Sequence, residues 1–479
     1  MINEFHKSYW FPLIALVMAI SADVLFYKHD IGISMPIFTF LAFAVLIGID
    51  RAARKRITKI EHILIAVLWI LSVFFAVRDA GHLLAINSVA MIVLSAMIFG
   101  KTYGFKIQSF DFARYLSMIF IDFPTIWVSK PISIGEIAGL TEKKRKIIIG
   151  IIAAVAVSAV FIALFVSADE VAREILVRFI ERMSLDSVLR HIVIVAVIGV
   201  AIMFVLHPIM HKAATNGDGE QFEIKAGREI QYTIIFAALN LVFAAFLIIQ
   251  GVFLIGGADI SEFGITYSDY ATQGFYQLMV VSVLVGAILW FSRYYKTEKN
   301  DKLIKILKCV LLAQTAVVIF SAWTRIMTYV DVYGLTVSRV YAVWALLVIL
   351  SLLAIILVVI FKEGLKNGEI IITGVIVAAV WIAVLNVANP DLIVARVNIE
   401  REENGIKPAL DIDYLMKLSD DSRPFVMDYL TRRAKMDASV YDIQQRENWL
   451  YGIGRKYDLS WQALNWSRRE AIGAVWVSY

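Results

Sequence analysis

The chain has 479 residues, 60% of them hydrophobic and 18% charged. A soluble protein carries about 45–50% apolar and about 25% charged residues, so this composition excludes a water-soluble globule. The 46 Lys and Arg barely exceed the 41 Asp and Glu, a balance that reads as membrane orientation and not as nucleic-acid binding, which needs a clustered basic stripe.

In chain order, continuous apolar runs are Phe11–Tyr27, Ile33–Ile49, Ile60–Val77, Leu83–Phe99, Ile147–Ala168, Val188–Leu206, Tyr232–Ile255, Phe275–Phe291, Leu307–Thr324, Val340–Phe361 and Ile370–Ala388. Crossing the hydrocarbon takes about 17–25 helical residues, so these predict about eleven transmembrane helices. Barrel strands would alternate polar and apolar side chains, and these runs do not. The first run has a hardly positive flank and reads as a retained span.

Lys and Arg gather in alternate links: Arg51–Lys59, Lys101–Lys146, Lys212–Arg228, Arg293–Lys305 and Lys362–Lys366. By the positive-inside rule these links are cytoplasmic, so the N-terminus is cytoplasmic and everything after Ala388 is extracytoplasmic. Phe110–Val128 is apolar but interrupted by Asp111, Arg114, Asp122 and Pro124. It reads as interfacial or re-entrant, because counting it as a span would invert the charge bias of every later link. Asp169–Asp186 mixes Glu170, Arg173, Glu174, Arg178, Glu181 and Arg182, the pattern of an amphipathic helix with i,i+4 pairs.

From Asn389 the charges become dense, and apolar residues recur at helical spacing. Residues 389–479 are expected to form a small extracytoplasmic all-α domain beside a transmembrane domain over 1–388, with Asp420–Ser422 capping a helix before Pro424. Its Trp449, Trp461 and Trp466 are expected to be buried.

Several stretches carry a family likeness: Val77-Arg78-Asp79, Gly264–Tyr270, Ser321–Arg325, Tyr329–Thr336 with Arg339, Asn389-Pro390-Asp391 with Arg396 and Asn398, and Leu410–Leu418. The chain resembles bacterial integral membrane proteins of the family called domain of unknown function 4173 and its relative 4153. The Tyr333–Thr336 region is the most specific part. The resemblance implies a fold and no mechanism.

Chemistry is sought where polar residues meet the span ends. Tyr267, Asp269 and Tyr270 precede an inward-running span. Arg325, Tyr329, Asp331 and Arg339 are placed in the tight link between the ninth and tenth spans. Asn389, Arg396 and Asn398 follow the last span. Two readings stay open for this outer cluster. The arginines bind an anion by bidentate hydrogen bonds, or they pair with Asp331 as architecture while the tyrosines form an aromatic belt. Within the spans, Asn87, Asn240, Gln250, Gln314 and Asn386 read as ties between helices. Asp23 is set near an interface, and the absence of an acid relay argues against a proton-coupled pump.

Cys309 is the only cysteine, which excludes an intrachain disulfide and a Cys-based metal site. His207 and His211 alone make an incomplete metal site, and no Gly-rich phosphate loop or Gly-x-Ser-x-Gly elbow appears. No metal or cofactor is therefore expected, and no catalytic residue is nominated. The expected role is a non-enzymatic scaffold, sensor or partner-binding protein of the bacterial envelope. It would contact membrane lipid and another envelope protein through the C-terminal domain, and no nucleic acid. The alternatives are a transporter or lipid-handling protein with an outer anion pocket, and an enzyme acting on a lipid-linked substrate.

Overall fold

The computed structural model describes residues 10–52, 58–102, 141–182, 229–254, 274–292, 302–362, 365, 367–406, 410–436 and 460–477. Phe110–Val128, Val188–Leu206, His207, His211, Tyr267, Asp269, Tyr270 and Trp449 lie outside the described residues. Among the described residues every regular element is a helix. In chain order they are α1 Trp10–Phe26, α2 Ser34–Ala52, α3 Lys59–Val77, α4 Gly81–Thr102, α5 Glu142–Ala168, α6 Glu170–Arg182, α7 Glu229–Leu254 and α8 Phe275–Phe291. There follow α9 Lys302–Tyr333, α10 Val337–Phe361, α11 Asn367–Ala388, α12 Pro390–Glu403, α13 Ile412–Met416, α14 Arg423–Met436 and α15 Trp466–Val477. Seven, namely α3, α4, α5, α7, α9, α10 and α11, are long and apolar enough to cross a membrane, and α1, α2 and α8 are apolar but shorter. The protein is an all-α, multi-pass membrane protein.

Local chemistry sets several helix ends. Thr58 and Glu61 form a capping box at the start of α3: Thr58 N–H donates to Glu61 Oε2 at 2.6 Å and Glu61 N–H returns to Thr58 Oγ1 at 3.4 Å. Asn389 takes the left-handed conformation (φ 56°) and accepts from Leu392 N–H, with Pro390 opening α12. α6 is the expected amphipathic helix, with Arg178 Nε 3.0 Å from Glu174. α14 begins directly after Asp420–Ser422.

The chain divides into two compact units. The first holds Met1–Ser109, Val332–Trp344 and Asn367–Tyr479. Its core packs Leu64, Leu68, Leu71 and Phe75 of α3 against Leu46 of α2, Leu94 and Ile98 of α4 and Ile382 of α11. Asn87 and Asn386 exchange amide hydrogen bonds of 2.9 and 2.8 Å inside this core, tying α4 to α11. Such a pair adds about 0.6–2 kcal/mol where an unmatched amide would face apolar neighbours. A second cluster in the same unit joins Val394, Ala395 and Ile399 of α12 to Leu415, Leu418, Val426, Tyr429 and Leu430, with Leu335, Val337 and Val340 packed on it.

The second unit holds Phe110–Asp331 and Ala345–Lys366. α5 and α7 run in the same direction: Gly150 meets Gln231 and Ile234, and further along Phe161 and Phe165 meet Phe243 and Phe246. The backbone of Gly274 (φ +89°) lies directly on the carbonyl of Ala168, where any side chain would collide. Asn240 Nδ2 donates to Leu307 O at 3.0 Å, and Gln314 Nε2 to Asn240 O at 3.2 Å, linking α7 to α9 as read from the sequence.

Two sequence expectations are corrected. Arg325, Tyr329 and Asp331 stand on the last turns of α9, which runs on to Tyr333, and only residues 334–336 form the link. Hydropathy ends the run at the first polar residues, but a helix satisfies its own backbone hydrogen bonds and continues past them to Tyr333. Trp461 and Trp466 are exposed, at 56% and 61%, instead of buried. The inward face of this segment is made by Ala463, Asn465, Ser467 and Ala471, small and polar side chains that let the backbone approach closely.

Candidate functional site

The sequence-predicted polar residues divide between the two units, and each unit has its own polar centre. In the first unit the turn between α9 and α10 is read by side chains from the C-terminal helices. Gly334 adopts φ +81°, and a Cβ there would lie 2.9 Å from Asn398 Oδ1. Asn398 is thereby close enough to accept from Leu335 N–H at 2.8 Å and donate to Leu335 O at 2.7 Å. Tyr414 Oη accepts from Val337 N–H at 2.9 Å. Arg339 donates to the carbonyl of Gly334. Arg396 lies over the Phe425 ring at 5.7 Å, a cation–π contact on an exposed face. The most specific stretch of the sequence is thus a turn whose backbone is clamped by Asn398 and Tyr414.

Of the larger centre of this unit, only Asn389 was nominated from the sequence as a site residue. This centre surrounds Arg78, Asp79 and Ala80, the three residues between α3 and α4. Asp421 points its carboxylate at the start of α4: Oδ2 accepts from Asp79 N–H at 3.1 Å and Ala80 N–H at 2.9 Å. Its Oδ1 meets Ser467 Oγ, and Arg78 Nη1 stands 3.9 Å away. Arg78 in turn donates from Nε to Asn386 O at 2.7 Å and from Nη2 to Val387 O at 3.3 Å, capping the C-terminus of α11. Asn465 Nδ2 caps α3 by donating to Phe75 O and Arg78 O at 2.9 and 2.7 Å. Asn389 Nδ2 donates to Asp421 O, and Asp391 accepts from Ser419 N–H. These groups satisfy the backbone donors and acceptors that every helix leaves unmatched at its ends.

Charge is dense here. Arg468 Nε lies 2.6 Å from Asp79 Oδ1, and Arg423 Nη2 lies 2.7 Å from Asp420 Oδ1. Burial pushes the Asp79 carboxyl up to about 6; Arg468 opposes the rise, and the neighbouring Asp420 adds to it. Burial also raises Asp421, against its bonds from Ser467 and Ala80 N–H and the charge of Arg78. A carboxyl whose folded pKa lies above its ordinary value favours the protonated fold. Its stabilisation is complete below about pH 4 and is lost as pH rises through about 6. The thermal midpoint of the purified protein should therefore rise between pH 7 and pH 5. Asp79→Asn should flatten that slope, and an unchanged slope would show that Asp79 does not carry it.

The second unit holds Arg325, 2% exposed. Its Nη1 donates to Ala168 O at 3.0 Å and its Nη2 to Asp169 Oδ2. Asp169 is also buried; its Oδ1 caps α6 through Ala172 N–H at 2.9 Å. Gln250 Nε2 reaches Asp169 Oδ2 at 3.3 Å, and Ser321 Oγ donates to Gln250 Oε1 at 2.6 Å. The sequence placed Asp169 at the edge of a charged outer helix and gave no signal that it partners Arg325. Tyr329 is partly buried and Asp331 exposed on the following turns. Among the described residues no three His, Cys, Asp or Glu side chains gather to hold a metal.

No curated protein and no solved structure matches the chain. A family model, the domain of unknown function DUF4153, matches residues 65–429. That span takes in the Arg78–Asp79 turn, Arg325, the clamped Gly334 turn and Asp421. On that match, the chain belongs to the DUF4153 family.

Proposed function

We propose that this protein is a non-enzymatic scaffold of the bacterial cell envelope, which presents its C-terminal helices outside the cytoplasm for a protein partner. One observation carries the reading: four polar side chains of the first unit spend hydrogen bonds on backbone groups at helix ends and turns. Arg78, Asn465, Asn398 and the Asp421 carboxylate each hold two backbone groups. An anion pocket or a catalytic centre needs such groups aimed at a ligand. Here Asn465, Asn398 and Asp421 fasten the C-terminal segments to helix ends while Arg78 ties the α3–α4 turn to α11, which makes a rigid display surface.

Sidedness is supported from within each unit. The α1–α2 and α3–α4 turns and the 334–336 turn are bonded to the C-terminal segments, and Arg78 of the α3–α4 turn holds the end of α11. The Lys and Arg alternation puts those four links on the extracytoplasmic side. The same alternation gives α5 and α7 one direction, as their contacts require.

The test uses the single native cysteine. In a Cys309→Ser background, Arg432→Cys on the exposed face of α14 is treated in intact cells with a membrane-impermeant thiol cross-linker. The reading predicts labelling from outside and one discrete protein adduct. Absence of labelling would contradict the sidedness, and labelling without an adduct would contradict the scaffold role.

A further inference from the structure

The 460–467 segment is tied to the ends of three helices. Ile33 N–H donates to Leu464 O at 2.9 Å and Ser34 N–H to Gln462 O at 3.2 Å, where α2 begins. Gln462 Nε2 reaches Val24 O at 3.4 Å in the last turn of α1. Ser460 Oγ lies 3.0 Å from His29 Nδ1 just beyond it. Asn465 and Ser467 bond the last carbonyls of α3. Gly32 permits this approach, since a Cβ there would lie 2.6 Å from Ala463 C and Leu464 O. These bonds fix the height of the segment: it lies at the level where three apolar helices end.

Trp461 and Trp466 each adjoin a tied residue in the chain, so their backbones stay within about 4 Å of that level. Both indoles nevertheless face outward. The outer face of α1 carries an exposed apolar stripe, Leu13, Leu16, Val17, Ile20 and Val24, which runs on to Tyr27, itself 61% exposed. Lys28 Nζ lies over the Tyr27 ring at 5.1 Å. An exposed apolar stripe on a helix of a membrane protein meets lipid tails, and a Tyr–Lys pair at its end meets headgroups.

We propose that Trp461 and Trp466 seat the C-terminal segment in the headgroup layer of the phospholipid bilayer, as a lipid-binding surface continuous with the outer face of α1. Indole suits that layer because its ring is apolar while its N–H keeps a wet partner. The segment then touches protein on its Ala463, Asn465 and Ser467 side and phospholipid on its tryptophan side. The exposed tryptophans follow directly, since in water alone two such rings would be a liability.

The probe is a nanodisc of phosphatidylethanolamine and phosphatidylglycerol holding the full chain. In a Cys309→Ser background, nitroxide labels are placed at Trp461→Cys, Trp466→Cys and, as an exposed control, Asp413→Cys. Accessibility to oxygen relative to a water-soluble nickel chelate should be several-fold higher at 461 and 466 than at 413. Equal ratios would overturn the proposal, as would labels closed to both quenchers. Spin–spin broadening that vanishes on dilution with unlabelled protein would assign the surface to a second copy, and would also overturn it. A paired Trp461→Phe, Trp466→Phe variant keeps the apolar bulk and guards against misfolding. It should lose part of the tryptophan emission quenched by lipids brominated near the headgroup, and unchanged quenching would overturn the proposal.

Discussion

Asp421→Ala should release the C-terminal helices from the span ends, whereas Asp421→Asn should leave them docked. The carboxyl group is fully enclosed. Alanine strands the amides of Asp79 and Ala80 without their acceptor and removes the carboxylate that faces the Arg78 guanidinium and the Ser467 hydroxyl. Removing one partner of a buried charged network costs about 3–5 kcal/mol, chiefly because the remaining charge is left unmatched. Asparagine has the same shape. Its Oδ1 can accept from both amides, and its Nδ2 can donate to Ser467 Oγ, whose proton then serves Val77 O at 2.8 Å. A protonated Asp421 would make the same set of bonds, which is the sense in which burial shifts it. The expected loss for asparagine is about 1 kcal/mol, that of one rearranged hydrogen bond. Thermal unfolding and limited proteolysis between Asn404 and Pro408 read both variants. Equal damage by alanine and asparagine would show that charge, not hydrogen-bond matching, is what the site needs.

Arg325→Leu should be the most damaging change in the second unit, and Asp169→Asn on the same chain should recover much of the loss. Arg325 and Asp169 are both about 2% exposed. Leucine alone leaves a buried carboxylate, at a cost of about 3–5 kcal/mol. Asparagine removes that charge and keeps the cap on α6, because its side-chain oxygen still accepts from Ala172 N–H. The coupling is measured by a double-mutant cycle on thermal or denaturant unfolding. Additive losses would mean that the pair does not act as a unit. Arg325→Lys should be intermediate, since an ammonium keeps the charge but cannot span Ala168 O and Asp169 Oδ2 as the planar fork does.

What the sequence made legible follows from the physics each signal reports. The span helices were readable because the bilayer demands long apolar runs; Phe275–Phe291 is found as written, and Ile60–Val77 is off by one residue. The helix ties at Asn87 and Asn386 were readable because an amide in a span has few other uses. The partners of charged residues were not. Asp421 looked like part of a helix cap beside Pro424, and its bonds reach back more than 340 residues to the α3–α4 turn. Arg78 and Asp79 were visible only as a family resemblance. Arg325 was singled out as a polar residue at the end of a span, but hydropathy put it in a link and local spacing could not point to Asp169. Trp461 and Trp466 were expected in a core because periodicity reports an apolar face without saying whether protein or lipid covers it.

Hydrogen exchange at the amides of Asp79 and Ala80 tests most directly whether the buried polar groups fasten the C-terminal segments to the span ends. Both lie in a three-residue turn outside any helix, and both donate to a side chain more than 340 residues away. The account predicts that they exchange as slowly as the interior amides of α3 and α4, and that Asp421→Ala brings them to the rate of an open loop. Rapid exchange of both amides in the unaltered protein would contradict it.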